Sequence, residues 1–395
     1  MTQRTFLPIL LALALVLPAE ARAQQTEVIT IDGTPQCETC RVELDTIAVV
    51  GALADSVLIP DTDGGLVVVG GDTIVVGKTF GGPERNMVFA PDGTLVRTIG
   101  REGEGPGELL PFTAGIRPYD DTQVLVGQSG RLSVMDLSGE VLLERRFNKR
   151  MSTMISVNPD DGRMIYSYVQ NPEGDAGTRY ELLAPDLSSV RTFGHISLEE
   201  QSGCPLCRER HTAWSQSRPD HFWSLHRNRN HVELWSAEGE HVRTFQIEGA
   251  GWAPTLQDTV RRDPRIRDDG VFVAGAGPGG VGSAPPRPRF DWIYEDSEGL
   301  VWTTARVAAA NWEPSPEPIS PGGSDVEHTP EEWEYLARQF DTVIQIIDPE
   351  AREVVAVWRN PNRLMLRSTG GYYRIKSQND LGVISYTVVR ARLVR

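Results

Sequence analysis

Short stretches of alternating apolar and polar residues, bounded by Gly, Asp or Pro, fill most of the chain after residue 41. Alternation with a period of two predicts β-strands that bury one face, and the bounding residues predict the turns between the strands. One pattern recurs: an apolar residue, a turn that contains Asp, Glu or Gly, and then an alternating strand. Its five copies begin at Phe89, Met135, Leu183, Trp235 and Ile347.

The spacing of these copies predicts a repeat architecture. Their turn position falls at Gly93, Gly139, Leu187, Gly239 and Ala351, so the first three steps are similar in length and the fourth is about twice as long. Each copy also has a strand pair upstream, such as residues 123–126 followed by 132–135. A period of about 50 residues with four short strands in each repeat is typical of a β-propeller blade. The sequence therefore predicts an all-β propeller.

The long step between Gly239 and Ala351 contains two interruptions. Residues 251–290 are rich in Pro, Gly and Arg, and residues 312–328 are rich in Pro, Ser and Glu. A short helix is predicted after the second segment, ending near residue 340. Its capping signals are Thr329, Pro330 and Glu332, and its apolar face is Trp333, Leu336 and Phe340. Neither segment can bury a core of its own, so we expect loop insertions in the fifth blade at about 251–290 and 312–340 rather than a separate domain.

The two ends of the repeat region predict how the ring closes. Residues 42–50 form an alternating strand without a turn position of its own, and residues 372–393 supply further strands without a complete copy of the pattern. An N-terminal strand that completes the last sheet would hide both edges of the ring. Five visible copies and one composite sheet predict six blades over residues 42–395; five or seven blades stay open at this point.

A Gly-rich segment between the first two copies carries a family resemblance. Residues 99–109 read Ile-Gly-Arg-Glu-Gly-Glu-Gly-Pro-Gly-Glu-Leu. This segment resembles the Gly-Pro-Gly signature of bacterial exported six-bladed β-propeller proteins, which are relatives of the NHL-repeat propellers. The resemblance covers roughly residues 42–395 and implies the fold and export, but no activity. The sequence departs from the family in its third turn, at Leu187 and Ser188, and in the long fifth-blade insertions.

Residues 1–23 predict a secretory signal peptide. Arg4 precedes an apolar run at residues 6–17, and Ala21 and Ala23 stand at the small-residue positions of a cleavage site. The run is shorter than the roughly 20 residues of a membrane span, so no membrane span is predicted. We expect an exported protein of the periplasm or the extracellular space, with residues 24–41 as an N-terminal extension.

The overall charge excludes one class of partner. The chain has 39 Lys and Arg against 54 Asp and Glu, a net charge of -15. Nucleic acids and anionic membrane surfaces favour a basic partner, so neither is expected. Hydrophobic residues make up 39% of the chain and charged residues 24%, which is ordinary globular composition.

Four cysteines form two Cys-x-x-Cys pairs, at Cys37 and Cys40 and at Cys204 and Cys207. Four thiolates could hold a structural zinc ion, but the two pairs lie far apart in the sequence. In an oxidising compartment, disulfides are favoured over zinc for all four, either within each pair or between the pairs. Thiol redox exchange is less favoured, because no convincing helix follows either pair.

Five of the seven His fall in one stretch, at His211, His221, His226, His231 and His241. A metal site that combines Cys204, Cys207 and His211 is the alternative to a surface or turn location for the histidines, and the surface location is favoured. Residues 277–282 match a dinucleotide-binding Gly pattern, but the Pro-rich segment behind them cannot open the helix that such a site needs. No catalytic motif and no cofactor follow from the sequence.

The nine Trp all lie after residue 213. Trp223, Trp235 and Trp302 fall in strand patterns and are predicted to pack between blades. Trp252, Trp312 and Trp333 lie in or beside the insertions and are candidates to face a ligand.

Three functional hypotheses follow for a propeller with these features. We expect a non-catalytic, monomeric binding protein for a protein, peptide or glycan. A metal-dependent hydrolase or lyase of the lactonase type, with a site in the central channel, is the alternative. A structural role in a cell-envelope complex is the third.

Overall fold

The structure is a computed structural model that describes residues 26–51, 59, 65–77, 86–105, 108–109, 113–128, 130–147, 155–170, 177–197, 210–227, 229–253, 285–286, 288–314, 335, 338–361, 364–366, 370–379 and 383–395. Its strands are numbered β1 to β27 in chain order. Six sheets, five with four strands and one with five, are arranged as the blades of a six-bladed β-propeller. The all-β class and the six blades predicted from the repeat are thus confirmed.

Each of the first three blades is a consecutive run of four strands. Blade 1 contains β3 (Leu66–Val69), β4 (Thr73–Val76), β5 (Asn86–Phe89) and β6 (Leu95–Ile99). Blade 2 contains β9 (Thr113–Pro118), β10 (Gln123–Gln128), β11 (Arg131–Asp136) and β12 (Val141–Arg146). Blade 3 contains β13 (Ile155–Val157), β14 (Met164–Gln170), β15 (Gly177–Leu183) and β16 (Ser189–Ser197).

The other three blades follow the same order, with the last one completed by the N-terminal region. Blade 4 contains β17 (Arg210–Trp214), β18 (His221–His226), β19 (His231–Ser236) and β20 (His241–Glu248). Blade 5 contains β21 (Arg289–Glu295), β22 (Val301–Ala308), β23 (Phe340–Asp348) and β24 (Glu353–Asn360). Blade 6 contains β25 (Leu364–Leu366), β26 (Tyr372–Gln378), β27 (Ile384–Val394) and β2 (Arg41–Val50). The remaining short strands are β1 (Glu27–Asp32), β7 (Arg101–Glu102) and β8 (Glu108–Leu109).

The hydrophobic core is divided among the six interfaces between neighbouring blades. Because each sheet is covered on both faces, some strands are buried throughout, as in β3 (Leu-Val-Val-Val). Large side chains such as Trp302, Tyr180 and Tyr386 fill these interfaces. Full burial of an aliphatic or phenylalanine side chain in such an interface contributes about 1.5–3 kcal/mol. The predicted packing roles of Trp223, Trp235 and Trp302 are confirmed by their burial.

The ring closes through the N-terminal strand, as the sequence predicts. β2 pairs antiparallel with β27 from the Arg41–Val394 pair to the Val50–Tyr386 pair. Val42, Ala48 and Val50 are buried in the interfaces on the two sides of blade 6. The blade is therefore built from both ends of the folded chain, and its two faces pack against blades 5 and 1.

The N-terminal extension contains a strand that the sequence did not predict. β1 adds to the outer edge of blade 4 as a fifth strand, parallel to β20, with Ile29 and Ile31 buried. The backbone then crosses to blade 5, where the amides of Gln36 and Cys37 donate to the carbonyls of Val354 and Val355. The segment from β1 to β2 thus contacts the outer strands of blades 4 and 5, and β2 then forms the outer strand of blade 6.

The recurrent turn position has the backbone conformation that its glycines suggest. Gly93, Gly139 and Gly239 all have positive φ angles, and Leu187 has φ 66° in the third copy. The turns also lie against the preceding blade: a Cβ on Gly239 would come within 2.7 Å of the Phe193 Cβ.

The fifth copy corrects the sequence prediction, because the positive φ falls at Arg352 and not at Ala351. In this copy the flanking strands pair at Ile347 and Val354, whereas the second copy pairs Met135 with Val141. The fifth turn is therefore one residue longer than the second, and the left-handed position moves along the chain by the same amount.

The two predicted insertions fall outside the described residues for most of their length. The first joins β20 to β21 and so enters blade 5, and the second joins β22 to β23 within it. Most of the predicted helix also lies outside the described residues, but Phe340 does not belong to it, because β23 begins at that residue. In the part of the chain that the structure describes, no helix has the length and apolar character of a membrane span.

Candidate functional site

The two faces of the ring differ in the length of their connections. The face where the first strand of each blade begins is called the loop face, and the opposite one the turn face. Turn-face connections between successive strands are short, and 158–163 and 215–220 are among the longest of them. Two much longer connections, 249–288 and 309–339, both begin and end at the loop face. Insertions in repeat proteins commonly cluster on the binding face, so the loop face is the candidate.

At the centre of the ring, two side chains from opposite blades meet. The innermost strands are β3, β9, β13, β17, β21 and β25, each at the inner edge of its sheet. Arg117 on β9 places its guanidinium 5.0 Å from the ring centroid of Trp292 on β21. Blades 2 and 5 are opposite in a ring of six, so this cation–π contact crosses the channel. Burial lowers the pKa of Arg117 to about 10, and such a contact is worth about 2 kcal/mol when desolvated.

His211 lies beside this contact, on β17 of blade 4. Its ring centroid is 5.8 Å from that of Trp292, and the residue is only 4% exposed. Burial lowers the pKa of His211 to about 3, with a further contribution from Arg227. The Phe290 backbone is close, but neither ring nitrogen meets hydrogen-bond geometry with any described group. The imidazole is therefore neutral at physiological pH.

Asp291 supplies the carboxylate of this central cluster. It is the extra residue of a β-bulge in β21, between the paired residues Phe290 and Trp292. Bulges redirect side chains, and here the carboxylate accepts two hydrogen bonds from Arg306, one of them 2.7 Å long. Burial alone would raise the pKa of Asp291, but Arg306 and Arg289 hold it well below its usual range. We call Arg117, His211, Asp291, Trp292, Arg227, Arg289 and Arg306 the central cluster.

The described histidines other than His211 do not form a metal site with it. His226 is buried, and burial together with Arg210 holds its pKa well below the ordinary value. His241 stacks on Trp235 with the ring centroids 4.4 Å apart. The surface location that the sequence suggested is thus wrong for His211 and His226. Across the described ranges, no three His, Cys, Asp or Glu side chains group as metal ligands.

The Gly-rich signature loop has a structural role. Gly105 donates its backbone N–H to the Glu108 carboxylate at 2.8 Å, and Glu108 also pairs with Arg101 at 2.8 Å. The buried Arg131 of blade 2 donates to the Gly105 carbonyl at 3.1 Å and to the Glu108 carbonyl. These contacts fasten the link between blades 1 and 2.

A separate cleft of 280 Å³ lies between blades 4 and 5 at the turn face. Trp223 and Phe245 form part of its wall, and Arg218 and Glu350 pair at its mouth. The indole N–H of Trp223 donates to the buried Glu295 at 2.5 Å. Because these polar groups already pair with one another, the cleft is part of the interface between the two blades.

The cysteine and tryptophan candidates are only partly within the described residues. Cys37 and Cys40 are at disulfide distance, with their Cα atoms 5.4 Å apart, and they pack against the interface of blades 5 and 6. Cys204, Cys207 and Trp333 lie outside the described residues. Trp252 packs edge-on against Phe290 at 5.8 Å, and Trp312 follows the end of β22. Both Trp252 and Trp312 therefore belong to loop-face connections, although a role in binding stays a prediction.

Arg117 and Trp292 were not identified from the sequence. Neither stands in a motif, and they lie in different repeats, far apart along the chain. An arginine within an inner-strand pattern, Ile-Arg-Pro at 116–118, was the available signal, because charged residues are seldom placed in a buried strand without a partner.

Comparisons with known proteins return the fold alone. No protein-family model matches the sequence, and no curated protein matches it significantly. A member of the DUF4221 family from Bacteroides vulgatus is similar in structure, with a TM-score of 0.52 and 12% identity over 89% of this chain and 99% of that one. A protein from Bacteroides fragilis that is described as exported has the same TM-score and 11% identity, over 93% and 100% of the two chains. The relationship to NHL-repeat propellers stays a prediction.

Proposed function

We propose that the protein is an exported, non-catalytic propeller that binds a protein, peptide or glycan through its loop face. The observation that carries this proposal is the difference between the two faces. The long connections 249–288 and 309–339 both belong to the loop face, whereas turn-face connections are no longer than 158–163 or 215–220. Binding residues are concentrated on loops that a rigid scaffold positions.

One member of the central cluster adds support at the same face. His211 is the second residue of β17, which begins at the loop face, so His211 stands near that end of the channel. Trp292 lies halfway along β21, and Arg117 is the fifth of the six residues of β9. Trp252 and Trp312 belong to connections on this face and supply aromatic surface of the kind that peptides and sugars contact.

Export is part of the proposal and has three supports. They are the signal-peptide pattern of residues 1–23, the disulfide-distance pair of Cys37 and Cys40, and the structural likeness to a protein described as exported. Periplasmic and extracellular locations fit equally.

The metal-dependent hydrolase alternative gains no support from the described residues. Such a site needs carboxylates or histidines that converge on one point. The central cluster instead places several guanidinium groups around one carboxylate, Asp291, which Arg306 already holds.

Binding to glycan and peptide arrays tests the proposal. We expect the purified protein to retain discrete ligands, and the double variant Trp252→Ala/Trp312→Ala to bind them about tenfold more weakly, which corresponds to about 1.4 kcal/mol. Tyr119→Ala is the matched control, because Tyr119 is an aromatic residue in a turn-face connection. Thermal melting of each variant checks that the fold is retained.

Three results would count against the proposal. They are the absence of any ligand above a denatured-protein background, equal losses in the loop-face and turn-face variants, and turnover of a retained ligand.

A further inference from the structure

The outer strand of blade 2 has the same backbone arrangement as the outer strand of blade 4. Both β12 and β20 follow a turn that contains a glycine with positive φ. Both also contain a bulge next to that turn, whose extra residue is Leu142 in β12 and Val242 in β20. The amide of Phe147 donates to the carbonyl of the residue before β11, and the amide of Ile247 donates to the carbonyl of the residue before β19. The two strand edges are therefore equivalent.

The two edges differ in whether a further strand covers them. β1 runs parallel to β20 and pairs with it over residues 243–248. Among the described strands, none pairs with the outer edge of β12. Ile247, which pairs with Ile31 of β1, is 5% exposed, whereas its counterpart Phe147 is only partly buried. A straight strand edge without a neighbour is a template to which another strand can add.

The outer edges of the other blades are less suited to receive a strand. In blades 1 and 3, Gly100 and Gly194 occupy the position of Arg146 and have positive φ angles of 78° and 65°, which interrupt the edge. The edge of blade 5 is contacted by the N-terminal segment. In blade 6, Glu43 and Asp45 of β2 pair with an arginine of β27 and make that edge charged. β12 continues without a positive φ through residue 147.

The apolar side chains of β12 indicate what kind of strand would add to it. Leu142 is 43% exposed, and Leu143 and Phe147 are partly buried against the interface of blades 2 and 3. In blade 4, Ile29 and Ile31 of β1 complete the corresponding apolar surface. A strand that adds to β12 therefore needs apolar side chains at alternate positions, as β1 has.

The charge of the same edge favours an acidic segment. The Arg146 side chain is 71% exposed, and it donates to the carbonyl of Glu104 at 3.4 Å. The Glu144 carboxylate lies 3.9 Å from Arg146 and closer, at 3.5 Å, to Arg131. In sequence, residues 145–150 contain four basic residues and no acidic one, within a chain of net charge -15. Opposite charges stabilise paired strands and like charges destabilise them.

We propose that β12 binds an extended segment of a partner protein, which adds as a parallel strand and combines carboxylates with apolar residues at alternate positions. The segment resembles β1, in which Glu27 and Asp32 enclose Ile29 and Ile31. The surface lies on the circumference of the ring, separate from the loop face, so it is a second binding surface beyond the proposed function.

The β1 strand of a second copy has suitable chemistry but is already occupied. It pairs with β20 of its own chain, where Glu27 contacts Arg243 at 2.7 Å and Ile31 is 1% exposed. A contact within one chain has a high effective concentration, which keeps β1 in place. A segment of another protein is therefore the favoured occupant of β12.

Hydrogen exchange of the full chain, followed by mass spectrometry, locates the binding of a synthetic probe. The probe is a peptide with the sequence of residues 26–33, and a second peptide has both acidic residues replaced by Lys. We expect the acidic peptide to slow exchange of the backbone amides of residues 143–147 in a saturable manner. The Lys peptide should bind more weakly, and exchange at residues 95–99 and 189–193, in the outer strands of blades 1 and 3, should not change.

Charge reversal on β12 tests the recognition of the carboxylates. Arg146→Glu should weaken binding of the acidic peptide about fivefold or more, because repulsion replaces attraction at an exposed position. Arg97→Glu is the matched control, since Arg97 is an exposed arginine in the outer strand of blade 1, and it should bind the peptide as the unaltered chain does. If Arg146→Glu fails to fold, the comparison of the two peptides on the unaltered chain still decides the question.

Unchanged exchange at residues 143–147, equal binding of the two peptides, or equal losses in Arg146→Glu and Arg97→Glu would overturn the proposal. Faster exchange at residues 27–32 without a change at 143–147 would also overturn it, because the peptide would then replace β1 on blade 4. Slower exchange at 143–147 that depends on protein concentration alone would overturn it in favour of a second copy. Array binding through the loop face is measured separately, so failure of one surface leaves the other standing.

Discussion

Leu187 and Arg352 are the two described residues other than glycine that adopt positive φ angles, at 66° and 60°. A left-handed conformation costs such residues about 1–2 kcal/mol. The two side chains differ in what they gain in return. Leu187 is completely buried in the interface of blades 2 and 3, whereas the Arg352 side chain is 54% exposed. At the position where three other copies have glycine, Leu187 thus packs in the interface of blades 2 and 3.

Glycine substitutions should therefore have opposite effects at these two sites. We expect Leu187→Gly to lower the free energy of unfolding by about 1–3 kcal/mol, because the lost burial exceeds the relieved strain. Arg352→Gly should raise it by about 0.5 kcal/mol, since its exposed pair with Glu27 contributes little. Urea unfolding at neutral pH measures both. A change of the same sign at the two sites would contradict this interpretation.

His211 should make the fold sensitive to acid. Burial, aided by Arg227 and Arg117 and opposed by Asp291, lowers its pKa in the folded state to about 3, from 6.5 ordinarily. The unfolded chain therefore takes up the proton first. The contribution of His211 to the free energy of unfolding is complete above about pH 6.5. It falls by about 1.4 kcal/mol per pH unit as the pH drops towards 3.

The measurement is urea unfolding at several pH values between 7 and 4. His211→Phe should remove the share of one proton from the pH dependence of the free energy of unfolding. Part of that dependence should remain, because the pKa of His226 is also lowered. An unchanged slope in His211→Phe would show that the imidazole is not neutral and buried in the folded protein.

Strands and turns were predictable because their signals are local. Alternation identifies a strand within a few residues, and the recurrent glycine marks where Gly93, Gly139 and Gly239 turn. β1 escaped prediction because its partner, β20, is distant in the chain, and a short segment with one buried stripe fits an unstructured extension equally well. The positive φ of the fifth turn was predicted one residue too early, at Ala351 instead of Arg352. The sequence pattern does not show that this turn contains one residue more than the second turn.

The central cluster belongs to a larger scale than any element. Arg117 and Trp292 meet only because six blades bring β9 and β21 to opposite sides of one channel. The repeat period predicts the ring, but not which inner-strand side chains reach across it. His211 shows the same limit: its position was visible in the sequence, while its burial depends on blades 2, 4 and 5 together.

At the scale of the whole molecule, truncation of the N-terminus distinguishes the contributions of β1 and β2 to stability. A chain that begins at residue 41 loses β1 but keeps β2. We expect it to fold with a free energy of unfolding lower by about 3–6 kcal/mol at most, because Ile29 and Ile31 lose their burial. A chain that begins at residue 51 also loses β2, which leaves blade 6 incomplete and should prevent cooperative folding.

Circular dichroism melts and size-exclusion chromatography compare the two chains. A synthetic peptide of residues 41–50, added to the shorter chain, should restore a cooperative melt. Equal melting of both chains without the peptide would show that β2 is dispensable for the ring.

Blade 6 also sets an order of events for a chain that is made from its N-terminus. The first ring strand to be synthesised, β2, pairs with the last, β27, so that Arg41 and Val394 meet across nearly the whole of the folded chain. Contacts between such distant residues form slowly, because a very long segment must first be ordered. Throughout synthesis β2 remains an unpaired edge, available to other strands. The end of the chain therefore decides both when the ring becomes complete and how long that edge is exposed to misassembly.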